Sequence, residues 1–198
     1  MTRLSRTSFR LLGLFSLVVF YFHVGNLQAE ESGWASLFNG KDLGGWMVVN
    51  NPSVSVSNGL LHLEKGKGWL RSEKEYRNFI LEVGWRGVEP DYNSGIFVRS
   101  GSAGIPYPDG GWQINLKSTE LGQLLQGHDK ILSSKIDPVS VGQWCTFRVE
   151  ARDGTLRLYV KDALIWQYDK LVPDRGYIGI QVEGKAMDIQ NIRIRELP

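Results

Sequence analysis

Cysteine and histidine are nearly absent from this chain: 198 residues include one cysteine and three histidines. With Cys145 alone no internal disulfide can form, so the fold must rest on a packed core. Cys145 lies in phase with Phe147 and Val149, the pattern of a buried, inert thiol rather than a nucleophile. His62, His128 and the scattered acids show neither an HExxH spacing nor paired CxxC elements, so no metal centre and no cofactor are expected. A divalent ion such as calcium, held on the loop oxygens of "DGG" or "EPDY", stays an open alternative. A phosphate-cradling glycine loop and a Ser-His-Asp pattern are also missing.

A basic excess is missing too. Lys and Arg number 23 and Asp and Glu 21, a net charge of 23 − 21 = +2. Arg3, Arg6 and Arg10 fall in the first 29 residues, which hold no acid, so the remainder carries 20 − 21 = −1. No nucleic-acid partner follows from such a balance. Those 29 residues read as a signal peptide, with a basic start, the apolar run "LLGLFSLVVFYFHVG" and Ala29 as the last residue removed. The run falls short of the ~20 residues that span a bilayer, although an uncleaved anchor is the alternative. No cysteine follows the run to carry a lipid anchor. Export to the periplasm or the cell exterior is therefore expected, with no membrane insertion after cleavage. Residues 30–198, 198 − 29 = 169 in all, suffice for one domain, and nothing in them indicates an oligomeric state.

What is abundant is alternation. "NFILEVGWRG" places Phe79, Leu81, Val83 and Trp85 on one face and Ile80, Glu82 and Arg86 on the other. In "WCTFRVEARDGTLRLYVKDALIW" the alternation runs into Asp153-Gly154 and resumes with Leu156, Leu158 and Val160, which predicts a hairpin. Near Asn191 the apolar phase slips by one residue, which predicts a bulge in the last strand. Twenty-three glycines, seven tryptophans and closely spaced turn signals predict an all-β fold: a two-sheet antiparallel β-sandwich with little helix. Only "STELGQLLQGHDKIL" is compatible with helix, and it is equally compatible with a long loop. "GSAGIPYPDGG", residues 101 to 111, reads as an exposed connection of the kind that carries binding residues.

Four motifs, in order, resemble one family. "SLFNGKDLGGW", "NSGIFVRS", "GQWCTFRVEARDGTLRLYV" and "GYIGIQVEGKAMDIQNIRIREL" are similar to signatures of the 3-keto-disaccharide hydrolase family, formerly a domain of unknown function. The resemblance runs from about Ser36 to Leu197. It implies a concanavalin A-like jelly roll or laminin-G-like sandwich with a sugar site on the concave sheet, and chemistry on glycosides oxidised to a ketone at C3. The chain departs from the pattern at Gln113, where members carry a glutamate, and at Glu183, where they carry a histidine. The ending Ile189-Gln190-Asn191-Ile192 also stands where members have Phe-Arg-Asn-Ile.

A ketone at C3 acidifies the C2 proton and places the C1 oxygen β to the resulting carbanion. Such chemistry needs a base, a donor for the ketone oxygen and a donor for the leaving group. Glu183 is the candidate base: it is in phase with Tyr177 and Gln181, and aromatic surroundings would raise its pKa. The alternative is a carboxylate that merely opens the turn "EGK". Arg99 shares the alternating face of Phe97 and is the candidate partner of the ketone oxygen, or else a solvated strand arginine. Asn93, Gln113, Asn115 and Gln181 suit hydroxyl recognition, and Trp112 and Tyr107 suit stacking on a sugar ring. His128 is the candidate general acid on a loop, with Asp109 a further candidate base. The expected partner is a carbohydrate. The expected activity is base-assisted elimination and hydration of 3-keto-glycosides. A non-catalytic carbohydrate-binding sandwich is the alternative, and a structural docking module a third.

Overall fold

The structure, a computed structural model, describes residues 33–198, and the expected signal peptide lies outside the described residues. Eight strands form one sheet: β1 (Ala35–Ser36), β3 (Ser53–Ser57), β4 (Leu60–Lys65), β6 (Phe79–Gly87), β11 (Cys145–Arg152), β12 (Thr155–Val160), β13 (Ala163–Tyr168) and β15 (Met187–Glu196). Seven form the other: β2 (Trp46–Val49), β5 (Gly68–Tyr76), β7 (Gly95–Ser100), β8 (Trp112–Asn115), β9 (Leu124–Gln126), β10 (Asp129–Leu132) and β14 (Gly176–Val182). The first runs β13-β12-β11-β6-β15-β4-β3, with β1 added beside β15, and the second runs β10-β9-β8-β7-β14-β5-β2. Every pairing is antiparallel. The fold is thus the expected all-β sandwich. No described residue is helical: the segment compatible with helix forms the small hairpin β9–β10.

The core lies between the inner faces of the two sheets. Phe79, Leu81, Val83 and Trp85 of β6 face Phe147, Val149 and Ala151 of β11, all fully buried. From the second sheet come Leu70, Ile96, Val98, Ile114, Ile178, Ile180 and Val182. Each such side chain contributes about 1.5–3 kcal/mol by leaving water, which is how the chain stands without a disulfide. Cys145 sits half-buried at the edge of this core, and burial raises its thiol pKa, which disfavours the thiolate.

Two bulges set the outer faces. In β15 the register slips between Gln190 and Arg193, where Asn191 takes a positive φ of 50°. That slip keeps Ile189, Ile192 and Ile194 all buried, as the phase change predicts. The second bulge, in β7, has a larger consequence for function. Against β14, Phe97 pairs with Gly179 and Ser100 with Tyr177, so three steps of β7 oppose two of its partner. Arg99, at φ 48°, is the extra residue.

Candidate functional site

The outer face of the seven-stranded sheet is ordered by cross-strand rows. Met47, Arg71, Gly179, Phe97, Gln113 and Leu125 lie opposite one another in turn. The next row holds Val49, Trp69 and Gln181, with Asn115 and Gly95 paired farther along. Both rows contain a glycine, and each gap is filled diagonally by a large neighbour. A Cβ on Gly95 would lie 2.3 Å from Gln113 Nε2, and one on Gly179 would lie 2.7 Å from the Trp69 ring. Gly95 therefore lets the Gln113 amide lean across β7 toward β14.

There it joins a relay. Gln113 Nε2 donates to Gln181 Oε1 at 2.9 Å, and Gln181 Nε2 donates to Glu183 Oε2 at 2.8 Å. Asn93 Nδ2 donates to the same carboxylate oxygen at 3.1 Å. The carboxylate accepts only, so it orients the Gln181 amide, which in turn orients that of Gln113. Glu183 Oε1 accepts no hydrogen bond among the described residues. Asn115 is buried on the same sheet, its Oδ1 accepting from the Lys117 amide at 3.2 Å.

These side chains border a cleft of about 750 Å³, within the size range of small-molecule sites. Phe97 and the 101–111 loop wall one side, and Lys117, Glu120, Lys130 and the β9–β10 turn with His128 wall the other. The Tyr107 ring packs 6.2 Å from Phe97. Its hydroxyl is buried beside Glu183 and Gln181 without a well-formed hydrogen bond. Burial first, then the Glu183 charge, hold this phenol well above its ordinary pKa, so it stays protonated and can only donate or accept as a neutral group.

The cleft thus gathers Asn93, Tyr107, Gln113, Asn115, Gln181 and Glu183, with His128 and Asp109 exposed at its rim. Two expected site residues are placed otherwise. Arg99 is fully buried outside the cleft, because the β7 bulge removes it from the Phe97 face. Its guanidinium donates to Arg77 O, Asp153 O and Pro173 O at 2.7–3.2 Å, tying loops at one end of the sandwich. Trp112 borders the cleft, but its indole belongs to the core, against Tyr168 at 4.7 Å and donating to Val172 O. Gln113 and Trp112 are sequence neighbours on a strand, so only one of them can face the cleft.

Lys117, Glu120 and Lys130 carry no sequence pattern, and the strand of Trp69 and Arg71 is recognised by pairing rather than by alternation. Glycines inside strands were the available signal for Gly95 and Gly179. The structure also assembles a serine, a histidine and an aspartate: Ser57 Oγ lies 2.9 Å from His62 Nε2, and His62 Nδ1 lies 2.7 Å from Asp188. Arg86 holds the other Asp188 oxygen at 2.7 Å, and none of these residues borders the cleft. This network spans β3, β4, β15 and β6 on the outside of the other sheet. Among the described residues no three His, Cys, Asp or Glu side chains converge as a metal set would.

The family model described as 3-keto-alpha-glucoside-1,2-lyase-like domain matches residues 33–195. A candidate glycosyl hydrolase from Parabacteroides distasonis superposes with TM-score 0.69 at 18% identity, covering 84% of this chain and 94% of that one. The carbohydrate-binding module CBM66 from Bacillus subtilis gives 0.67 at 18%, covering 77% and 96%. A β-glucanase from Bacillus licheniformis gives 0.60 at 15%, covering 83% and 97%. At such identities these likenesses establish the fold. No curated protein matches the chain.

Proposed function

The chain belongs to the 3-keto-alpha-glucoside-1,2-lyase-like domain family, and from that premise we propose that it cleaves glycosides carrying a ketone at C3, with Glu183 as the base. The observation that carries this reading is the Glu183 carboxylate in the cleft, one oxygen held by Gln181 and Asn93 and the other without a partner among the described residues. A carboxylate fixed through one oxygen offers the other to a proton in a defined direction.

In the proposed reaction Glu183 Oε1 takes the C2 proton, and the electron pair left on C2 delocalises onto the C3 ketone oxygen. The pair then forms the C1–C2 double bond as the C1–O bond breaks, and the leaving oxygen takes up a proton. Addition of water across the double bond completes net hydrolysis; release of the unsaturated ketone completes a lyase reaction. Arg99 has no part in this. Its role passes to Tyr107, whose buried hydroxyl beside Glu183 has a proton to give and no partner of good geometry. Gln113, Gln181, Asn93 and Asn115 hold the sugar hydroxyls, and His128 at the rim protonates the leaving oxygen. The basic start and apolar run of residues 1–29 support export of this activity from the cytoplasm.

Product release from a 3-keto-glycoside, measured beside its unoxidised parent for wild type and Glu183→Gln, tests the proposal. Turnover of the keto substrate alone, reduced 10³-fold or more by the substitution (about 4 kcal/mol of transition-state stabilisation), is the expected result. Undiminished turnover in Glu183→Gln would move the base elsewhere, to His128 or Asp109. Sugar binding without turnover would make the chain a binding module, as the structural neighbour CBM66 is.

A further inference from the structure

The 101–111 loop does more than border the cleft. It leaves β7, yet Asn50 Nδ2, just beyond β2, donates to Gly104 O at 2.7 Å and to Pro106 O at 2.9 Å. Between β7 and β2 lie β14 and β5. The loop tip therefore crosses three strand spacings, roughly 14 Å, over the half of the outer face that the cleft leaves aside. Arg71 of β5 donates from below to Ser102 O at 3.1 Å.

Beneath this crossing are donors without acceptors. Trp69 Nε1 and Arg71 Nε are buried with no hydrogen-bond partner, and the Tyr107 hydroxyl at the edge of the same roof is in the same state. Trp69 itself is 0% exposed. It stands edge-on to Phe97 at 5.8 Å, on the far side of that ring from Gln113, while Arg71 lies 4.3 Å over the Tyr177 ring. An indole N–H and a guanidinium beside aromatic faces match the edge and face of a pyranose, which offers hydroxyl oxygens and a C–H surface. The roof is held by polar bonds at its surface, and Ile105, at its tip, is 90% exposed. Gly104, at φ 140°, marks a backbone point that other residues rarely adopt.

We propose that residues 102–106 are a strap that lifts to uncover a second sugar subsite, with Trp69, Arg71 and Tyr177 as its floor, next to the Glu183 cleft across Phe97. Its ligand is a neutral pyranose ring, the second ring of a two-ring substrate. This rests on the reading that the cleft itself takes a sugar. Strap lifting breaks the Asn50 and Arg71 bonds, and the ring supplies the acceptors that the roof does not.

Calorimetry in the Glu183→Gln background compares methyl 3-keto-glucoside with a 3-keto-disaccharide, while hydrogen exchange follows the Asp109 amide, which donates to Ala103 O of the strap. The second ring is expected to tighten binding tenfold or more. Trp69→Phe is expected to abolish that increment and leave one-ring binding within twofold. Asn50→Ala, outside both sites, is expected to speed exchange at Asp109 and to strengthen two-ring binding severalfold. One-ring binding with no gain from the second ring, or a gain that survives Trp69→Phe with the Asp109 amide still protected, overturns the subsite and leaves the Glu183 reading standing. Failure of both ligands to bind overturns both readings.

Discussion

One missing Cβ, at position 95, decides where the Gln113 amide lies. An alanine there would put its methyl carbon 2.3 Å from Gln113 Nε2 and 2.8 Å from Cγ and Cδ. The glutamine can swing away, so the fold survives, but its bond to Gln181 does not. Gly95→Ala should therefore cost about 1–2 kcal/mol of stability, one buried hydrogen bond plus local crowding. Substrate kcat/KM should fall tenfold or more, since the relay that aims Gln181 at Glu183 loses its far anchor. Urea melts together with kinetics on a 3-keto-glycoside check this, and a loss of stability without a loss of activity would remove Gln113 from the site. At this scale the sequence was readable where alternation holds. Gln181 and Glu183 share a face because Ile178, Ile180 and Val182 fill the other, and Gln113 and Asn115 follow from Ile114 in the same way. The bonds linking these residues across strands were not readable, since register belongs to pairs of strands and each strand alone says nothing of it.

Within a strand, one extra residue reverses everything after it. Alternation through β7 puts Arg99 with Phe97, and the bulge cancels that inference two residues later. The β15 bulge was visible because isoleucines on both sides of it had to be buried. The β7 bulge follows Val98 with Arg99 and Ser100, and no apolar residue marks the new phase. Arg99 accordingly serves the element rather than the chemistry: its donors fasten Arg77 O before β6, Asp153 O in the β11–β12 turn and Pro173 O before β14. Arg99→Met should leave three carbonyls short of their charged donor and cost roughly 3 kcal/mol. The chemistry should hardly change, with kcat at saturating substrate within about threefold of wild type for the folded fraction. Denaturation midpoints and active-site-titrated kinetics distinguish this from the role in ketone polarisation that the alternating pattern suggests.

Across the whole molecule, burial of phenols gives stability a direction in pH. Tyr76, Tyr92 and Tyr107 all titrate above the ordinary tyrosine value, each chiefly because burial penalises the phenolate. Cys145 is shifted the same way for the same reason. In the unfolded chain these groups release their protons near their ordinary values, about 8.5 for the thiol and about 10 for the phenols. Above those values the unfolded state binds fewer protons than the folded one, so the slope of unfolding free energy with pH is negative. The contribution is fully present below the unfolded pKa values and is lost as pH rises toward the folded ones. Urea midpoints should therefore stay level near neutrality, begin to fall as the thiol of the unfolded chain ionises, and fall more steeply above about pH 10. Tyr107→Phe separates this effect from function. At pH 7 it removes a buried hydroxyl that lacks a good partner, so stability should hold or rise by up to about 1 kcal/mol. The alkaline fall should become shallower by the share of one phenol. Turnover of the keto substrate should drop by 10²-fold or more, the usual cost of removing a donor aimed at a developing oxyanion. A variant that is destabilised at pH 7, keeps the full alkaline slope and retains turnover would show Tyr107 to be wall packing, and the ketone oxygen would then need another donor, for which the second amide N–H groups of Asn93 and Gln113 are the candidates.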